Sequence, residues 1–170
     1  MKIQIRVSTV KAVEALVWVI QRGESNVYNA MKIFFAADKY HLNRYARPVT
    51  GDNYVAMQFG TVPSWTYAAT RRKGLGFARD GNTLRLNPGR VCDLDQLSES
   101  DVEALEHGYK AYAGKSFQTV LLKNHKEQAW LRAIERDPEA KVAEILFEDM
   151  IVNKQWLIDD LQEMGFKISV

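Results

Sequence analysis

Three histidines and one cysteine are where catalysis or metal binding would have to start. His41, His107 and His125 are far apart in the chain, and no pair has the short spacing of metal ligands. His125 stands close to Glu127, a single pair whose ordinary role is capping or packing. Cys92 lies between Val91 and Asp93, so a neighbouring carboxylate opposes thiolate formation, and no nucleophile signature surrounds it. With no second thiol it forms no disulfide within the chain and shares no metal. Ser64 lacks a Gly-x-Ser-x-Gly frame. Gly74-Leu-Gly76 lacks the further glycine and the preceding strand of a dinucleotide fingerprint, and reads as the bend into a hairpin. These patterns point away from an enzyme. No catalytic residue, metal or cofactor is expected, and a pocket of strongly perturbed titratable groups would be needed to change that.

Two other clusters suit recognition. The window HLNRYARPVTGDNYVAMQFGTVPS, His41 to Ser64, packs arginines, aromatics, Thr-Gly-Asp and Val-Pro-Ser together. With the residues that follow, it supplies Arg44, Tyr45, Arg47, Asp52, Tyr54, Trp65 and Tyr67, the arginine and aromatic anchors that protein interfaces favour. The same residues have a structural reading, in which Arg44 or Arg47 pairs with Asp52 to lock the loop and Tyr54, Met57 and Pro63 enter the core. The second cluster is basic: Arg71, Arg72, Lys73, Arg79, Arg85 and Arg90 flank an expected hairpin, with Trp65 and Phe77 nearby. Such a ribbon can follow a nucleic-acid backbone or groove. It can equally be a charged hairpin that keeps a sheet edge from aggregating.

The elements that must carry these residues are mostly helical. Val10, Val13, Leu16, Val17 and Ile20 recur at helical spacing, with Ser8 or Thr9 as cap and Gly23 near the stop. Val27, Ala30, Met31, Phe34 and Phe35 mark a second helix, apolar over much of its circumference and therefore central. Pro48 and Gly51 break it; Tyr54 to Phe59 fits a short strand or a single turn. Ser64 caps a short helix ending at Arg71-Arg72-Lys73, and Asp80-Gly81 turns a hairpin over 75–86. Ser98 and Asp101 form a capping box for a helix carrying Val102, Leu105, Tyr109 and Tyr112, closed by Gly114. Ser116 caps a helix with Phe117, Val120 and Leu121. Ala129, Trp130, Ala133 and Ile134 make a further helical face. Asp137-Pro138 should open a helix through Val142, Ile145 and Leu146, and Asn153 the last, carrying Trp156, Leu157, Leu161 and Met164. Ile3, Ile5 and Val7 at one end, and Phe166, Ile168 and Val170 at the other, alternate with polar residues. These ends are expected to pair in one small sheet, within the chain or across a two-fold axis.

At 170 residues, 46% hydrophobic and 26% charged, the chain should form one folded domain, mainly α with a minor β part. A net charge of +2 means that any basic surface is local. No apolar run approaches the roughly 20 residues of a membrane span. The first seven residues alternate rather than forming the apolar core of a signal peptide, so a cytoplasmic protein is expected.

Two blocks carry a family resemblance. MKIFFAADKYHLNRYARPVTGDNYVAMQFGTVPS and, further on, LSESDVEALEHGYKAYAGKSFQTVLLKNHKEQAW stand in the order and spacing of the Panacea domain, also known as the SocA-like or GepA-like antitoxin domain. The resemblance covers about residues 11–130. Three positions depart from the family pattern: Ala46 replaces a glycine, Thr61 the first proline of Gly-Pro-Val-Pro, and Glu106 an aspartate. The resemblance implies an antitoxin that neutralises a toxin encoded beside it by direct contact, or an adaptor that delivers the toxin to the ClpXP protease. It also implies a bacterial chromosome, prophage or phage as source, and no required catalytic residue.

Overall fold

The computed structural model describes residues 5–163, and these are mainly helical with a few short antiparallel strands. Helix α1, Thr9–Gln21, starts at Ser8, whose side chain accepts from the Lys11 N–H. Its buried face runs from Ala12 to Ile20 and includes Glu14; Val10, expected inside, is 54% exposed. Helix α2, Val27–Tyr45, is capped by the Asn26 side chain and is central as expected. Its Ala30, Met31, Ile33 and Phe34 join one apolar cluster with α1, while its Phe35 and Leu42 join another with Tyr54, Ala129 and Ile145. Each buried Met, Ile, Phe or Leu among these contributes about 1.5–3 kcal/mol relative to exposure, so α2 ties both clusters to one rod.

Tyr54 to Phe59, ambiguous in the sequence, is the first half of a hairpin: β1, Tyr54–Met57, pairs with β2, Gly60–Pro63. Helix α3, Ser64–Ala69, follows directly. Ser64 does not cap it; Pro63 holds the cap position without a side-chain bond. The basic hairpin is β3, Phe77–Asp80, with β4, Thr83–Leu86. Asp80 opposes Thr83, so the two-residue turn is Gly81-Asn82, one step later than expected. After a 3-10 turn at Leu94–Gln96, α4, Glu99–Tyr112, opens with the complete Ser98–Asp101 capping box. It packs along α2 so closely that a Cβ on Gly108 would lie 2.4 Å from the Ile33 carbonyl oxygen. Helix α5, Phe117–Asn124, is capped by Ser116; Val120 is buried, whereas Phe117 is 48% exposed. Helix α6 is Gln128–Arg136.

The helix expected after Asp137-Pro138 is absent. Ala143–Ile145 is instead strand β5, antiparallel to β1 on the edge opposite β2. Ala143 and Ile145 point inward and Glu144 outward, a period of two that three residues cannot announce against a helical background. Unpaired backbone groups on β1 supply the tertiary reason. Helix α7, Phe147–Met150, and α8, Lys154–Glu163, follow; the Asn153 side chain caps α8 by accepting from Trp156. The expected pairing of terminal strands lies outside the described residues, and residues 5–7 belong to no strand.

Candidate partner-binding site

The Thr-Gly-Asp stretch is fixed by two buried carboxylates. Asp38, on α2, accepts from the Thr50 N–H (2.8 Å), the Thr50 hydroxyl (2.6 Å) and the Tyr54 hydroxyl (2.9 Å). Burial pushes its carboxyl up to about 6, against the lowering effect of those three bonds. Asp52 is fully buried and is the missing cap of α3: it accepts from the Trp65 N–H (2.9 Å), the Thr66 N–H (2.7 Å) and the Thr66 hydroxyl (2.7 Å). This overturns the expected ion pair of Arg44 or Arg47 with Asp52. A carboxylate beside free amide N–H groups at a helix start is already satisfied.

Both arginines pair elsewhere. Arg47 reaches Asp101 at 2.9 Å, and Lys11 donates to the same carboxylate. Burial alone would raise the Asp101 carboxyl, but bonds from Lys11, the Ser98 N–H and Arg47 together hold it below its usual range. His41 is buried beside them. Its Nδ1 lies 2.6 Å from the Arg47 carbonyl oxygen and its Nε2 2.9 Å from the Ser100 hydroxyl. A carbonyl only accepts, so Nδ1 carries the proton and Nε2 accepts from Ser100. Desolvation lowers its pKa, in keeping with a neutral ring. The C-terminal end of α2 is thus fastened to the capping box of α4.

A second joint fixes the β1–β2 turn. Asn124 accepts from the Thr61 N–H (2.7 Å) and donates to the Thr61 hydroxyl (3.1 Å). His125 stacks on Trp130 with ring centroids 4.2 Å apart. Nε2 of His125 bonds the Gln58 carbonyl, and Trp130 donates to that of Met57. The two blocks that carry the family resemblance are therefore two halves of one hydrogen-bonded frame.

What this frame holds outward differs from the expected set. Tyr54 and Asp52 are interior and face no partner. Arg44 and Tyr45 are exposed; Arg44 lies 3.3 Å from Glu103, which also accepts from the Tyr40 and Tyr45 hydroxyls. Arg47 is half-exposed above its Asp101 pair. This corner adjoins a cleft of about 860 Å³ lined in part by Lys39, Tyr40, Arg44, His107, Lys123 and Trp156. Trp65 and Tyr67 sit apart from it, beneath the basic cluster: Arg72 lies 5.3 Å over Trp65, with Arg71 and Arg79 4.6 and 5.3 Å over Tyr67. Arg71, Arg72, Lys73 and Arg79 border one concavity of about 420 Å³, and none of them is in an ion pair among the described residues. Arg85 is exposed on β4 outside that concavity, and Arg90 is paired with Glu14. The sequence reading missed Asp38, Asn124 and Lys32, all buried polar groups; in the sequence they look like solvated positions of amphipathic helices.

Cys92 is half-buried, and desolvation, with Glu14 next, pushes its thiol up to about 11, the reverse of an activated nucleophile. Among the described residues no group of three or more His, Cys, Asp or Glu side chains is arranged to hold a metal ion, and no helix is long and apolar enough to cross a membrane.

No curated protein and no solved structure matches the chain. The model of the family described as antitoxin SocA-like, Panacea domain, matches residues 31–131, from the second turn of α2 through the first half of α6. That span contains Asp38, His41, Asp52, Asp101 and Asn124, the side chains that build the frame. The chain belongs to the SocA-like antitoxin family, the family of the Panacea domain.

Proposed function

We propose that this chain is an antitoxin that neutralises a toxin encoded beside it by direct protein contact. The observation that carries this reading is the family match over residues 31–131, which falls on a frame whose buried polar groups are engaged in holding its own shape. Arg44 and Tyr45, with the half-exposed Arg47, give the frame an outward corner of the kind that anchors protein partners. Residues 1–170 act as one domain in the cytoplasm, as a monomer or a homodimer. In the adaptor form of the reading, the bound toxin passes to ClpXP. The test is co-expression with each adjacent small gene: the toxic one should be silenced, and its product should co-purify. Toxin levels that fall only when ClpXP is present would select the adaptor form, and unrelieved toxicity with every neighbour would refute both.

One observation favours a second reading, a nucleic-acid-binding regulator. Arg71, Arg72, Lys73 and Arg79 converge on one concavity, and among the described residues no carboxylate forms an ion pair with them. A gel shift on the gene's own upstream DNA at moderate salt tests it. Changing Arg71, Arg72 and Arg79 to alanine should abolish the shift and leave neutralisation intact.

A further inference from the structure

Lys32 stands out among the buried charges. It is 1% exposed, on α2, and among the described residues it forms no ion pair. Its ammonium donates to the Thr61 carbonyl at 2.8 Å and lies 4.5 Å from the centre of the Tyr28 ring. An ammonium carries three donors and a full charge; one carbonyl and one ring face do not replace its lost hydration. Desolvation lowers its pKa to about 7.

Lys32 lines a groove of about 420 Å³ between the start of α2, the β1–β2 turn and the start of α5. The rim is apolar and mostly aromatic. Phe59 is 50% exposed, Phe117 48% and Met57 37%. Tyr28 packs against Phe117 at 4.8 Å, Phe59 meets Phe117 edge-on at 5.5 Å, and the Tyr28 hydroxyl donates to the Phe59 carbonyl. The floor is preformed, because Gly60 in the turn sits so close that a Cβ there would lie 2.0 Å from Asn124 Oδ1 and 3.2 Å from Lys32 Cε. Exposed aromatics around a depression mark a contact surface, and one unpaired cation on an apolar floor is complementary to one negative charge. A dianion such as phosphate would leave excess charge buried.

We propose that this groove docks an apolar segment of the partner protein that carries a carboxylate, and that Lys32 receives the carboxylate on the groove floor. The proposal rests on the toxin-binding reading and gives its partner a chemical class. Octanoate serves as the probe, with octanamide as its neutral counterpart, followed by NMR of the Lys32 ε-methylene and the Phe59 and Phe117 rings. Octanoate should shift these signals and bind at least about tenfold more tightly than octanamide, and Lys32→Met should erase the difference. Equal binding of acid and amide, or no shift at these residues up to about 10 mM probe, overturns the proposal. In cells, Phe59→Ser with Phe117→Ser, at exposed positions, should reduce rescue by the chain at least about tenfold at unchanged protein level and melting temperature. Full rescue by that double variant overturns the docking site and leaves the antitoxin reading standing. Failure of the unaltered chain to rescue against any neighbour overturns both. A concentration-dependent dimer that the double variant loses assigns the groove to a second copy and overturns the proposal.

Discussion

Residue by residue, the frame shows where the chain departs from its family and what each departure does. Ala46 ends α2 with φ +56°, the left-handed conformation that glycine adopts without a Cβ penalty. The family's glycine is therefore explained, and the turn has kept its geometry under alanine. Ala46→Gly should raise stability by about 0.5–1 kcal/mol, measured as a shift of the urea midpoint at constant slope; a loss of stability would mean that the turn is not strained. Thr61 replaces a proline, and its N–H and hydroxyl both bond Asn124, the first of which proline has no donor to make. Lys32 sets a pH dependence. Its folded pKa, about 7, lies below the ordinary 10.5, so between these values the unfolded chain binds more protons. Stability from this group therefore rises with pH, by at most about 1.4 kcal/mol per pH unit. The stability of the native chain minus that of Lys32→Met should climb from pH 7 to 9.5; parallel curves would remove the buried charge from the account.

Among the elements, α2 and α4 meet backbone to side in a close joint. Gly108 allows α4 to touch the α2 backbone, and any side chain there must push the helices apart. Gly108→Val should cost about 2–3 kcal/mol or more in thermal or urea unfolding, whereas valine at the exposed Lys110 of the same helix should cost only about 0.5 kcal/mol of helix propensity. An indistinguishable pair would show that α4 is free to shift. The helices were legible in the sequence because their caps and periodicity are local: Ser98, Ser116 and Asn153 cap where expected, and of Ser8 and Thr9 it is Ser8 that caps α1. What escaped depends on distant partners. Asp52 caps a helix that starts twelve residues later, and Arg47 answers a carboxylate on α4; neither relation has a signature within a short window. Strand β5 failed for the same reason, since three residues become a strand only because β1 offers an edge.

For the whole molecule, the two sequence blocks meet as one frame, with α2 running through both apolar clusters and the polar joints at His41–Ser100, Arg47–Asp101 and Thr61–Asn124 pinning its flanks. The signature is in large part architectural: of the seven residues first read as a partner surface, Asp52 and Tyr54 are interior and Trp65 and Tyr67 lie under arginines. On the proposed reading, recognition falls to what the frame presents, the Arg44–Tyr45 corner and the groove above Lys32. The most direct measurement is a calorimetric titration of the purified chain into the purified product of the adjacent toxic gene, with toxin activity followed in the same samples. Saturable binding with Kd below about 1 µM, and activity lost in step with occupancy, is the expected result. Absence of binding, or a saturated complex that keeps full toxin activity, would contradict neutralisation by direct contact.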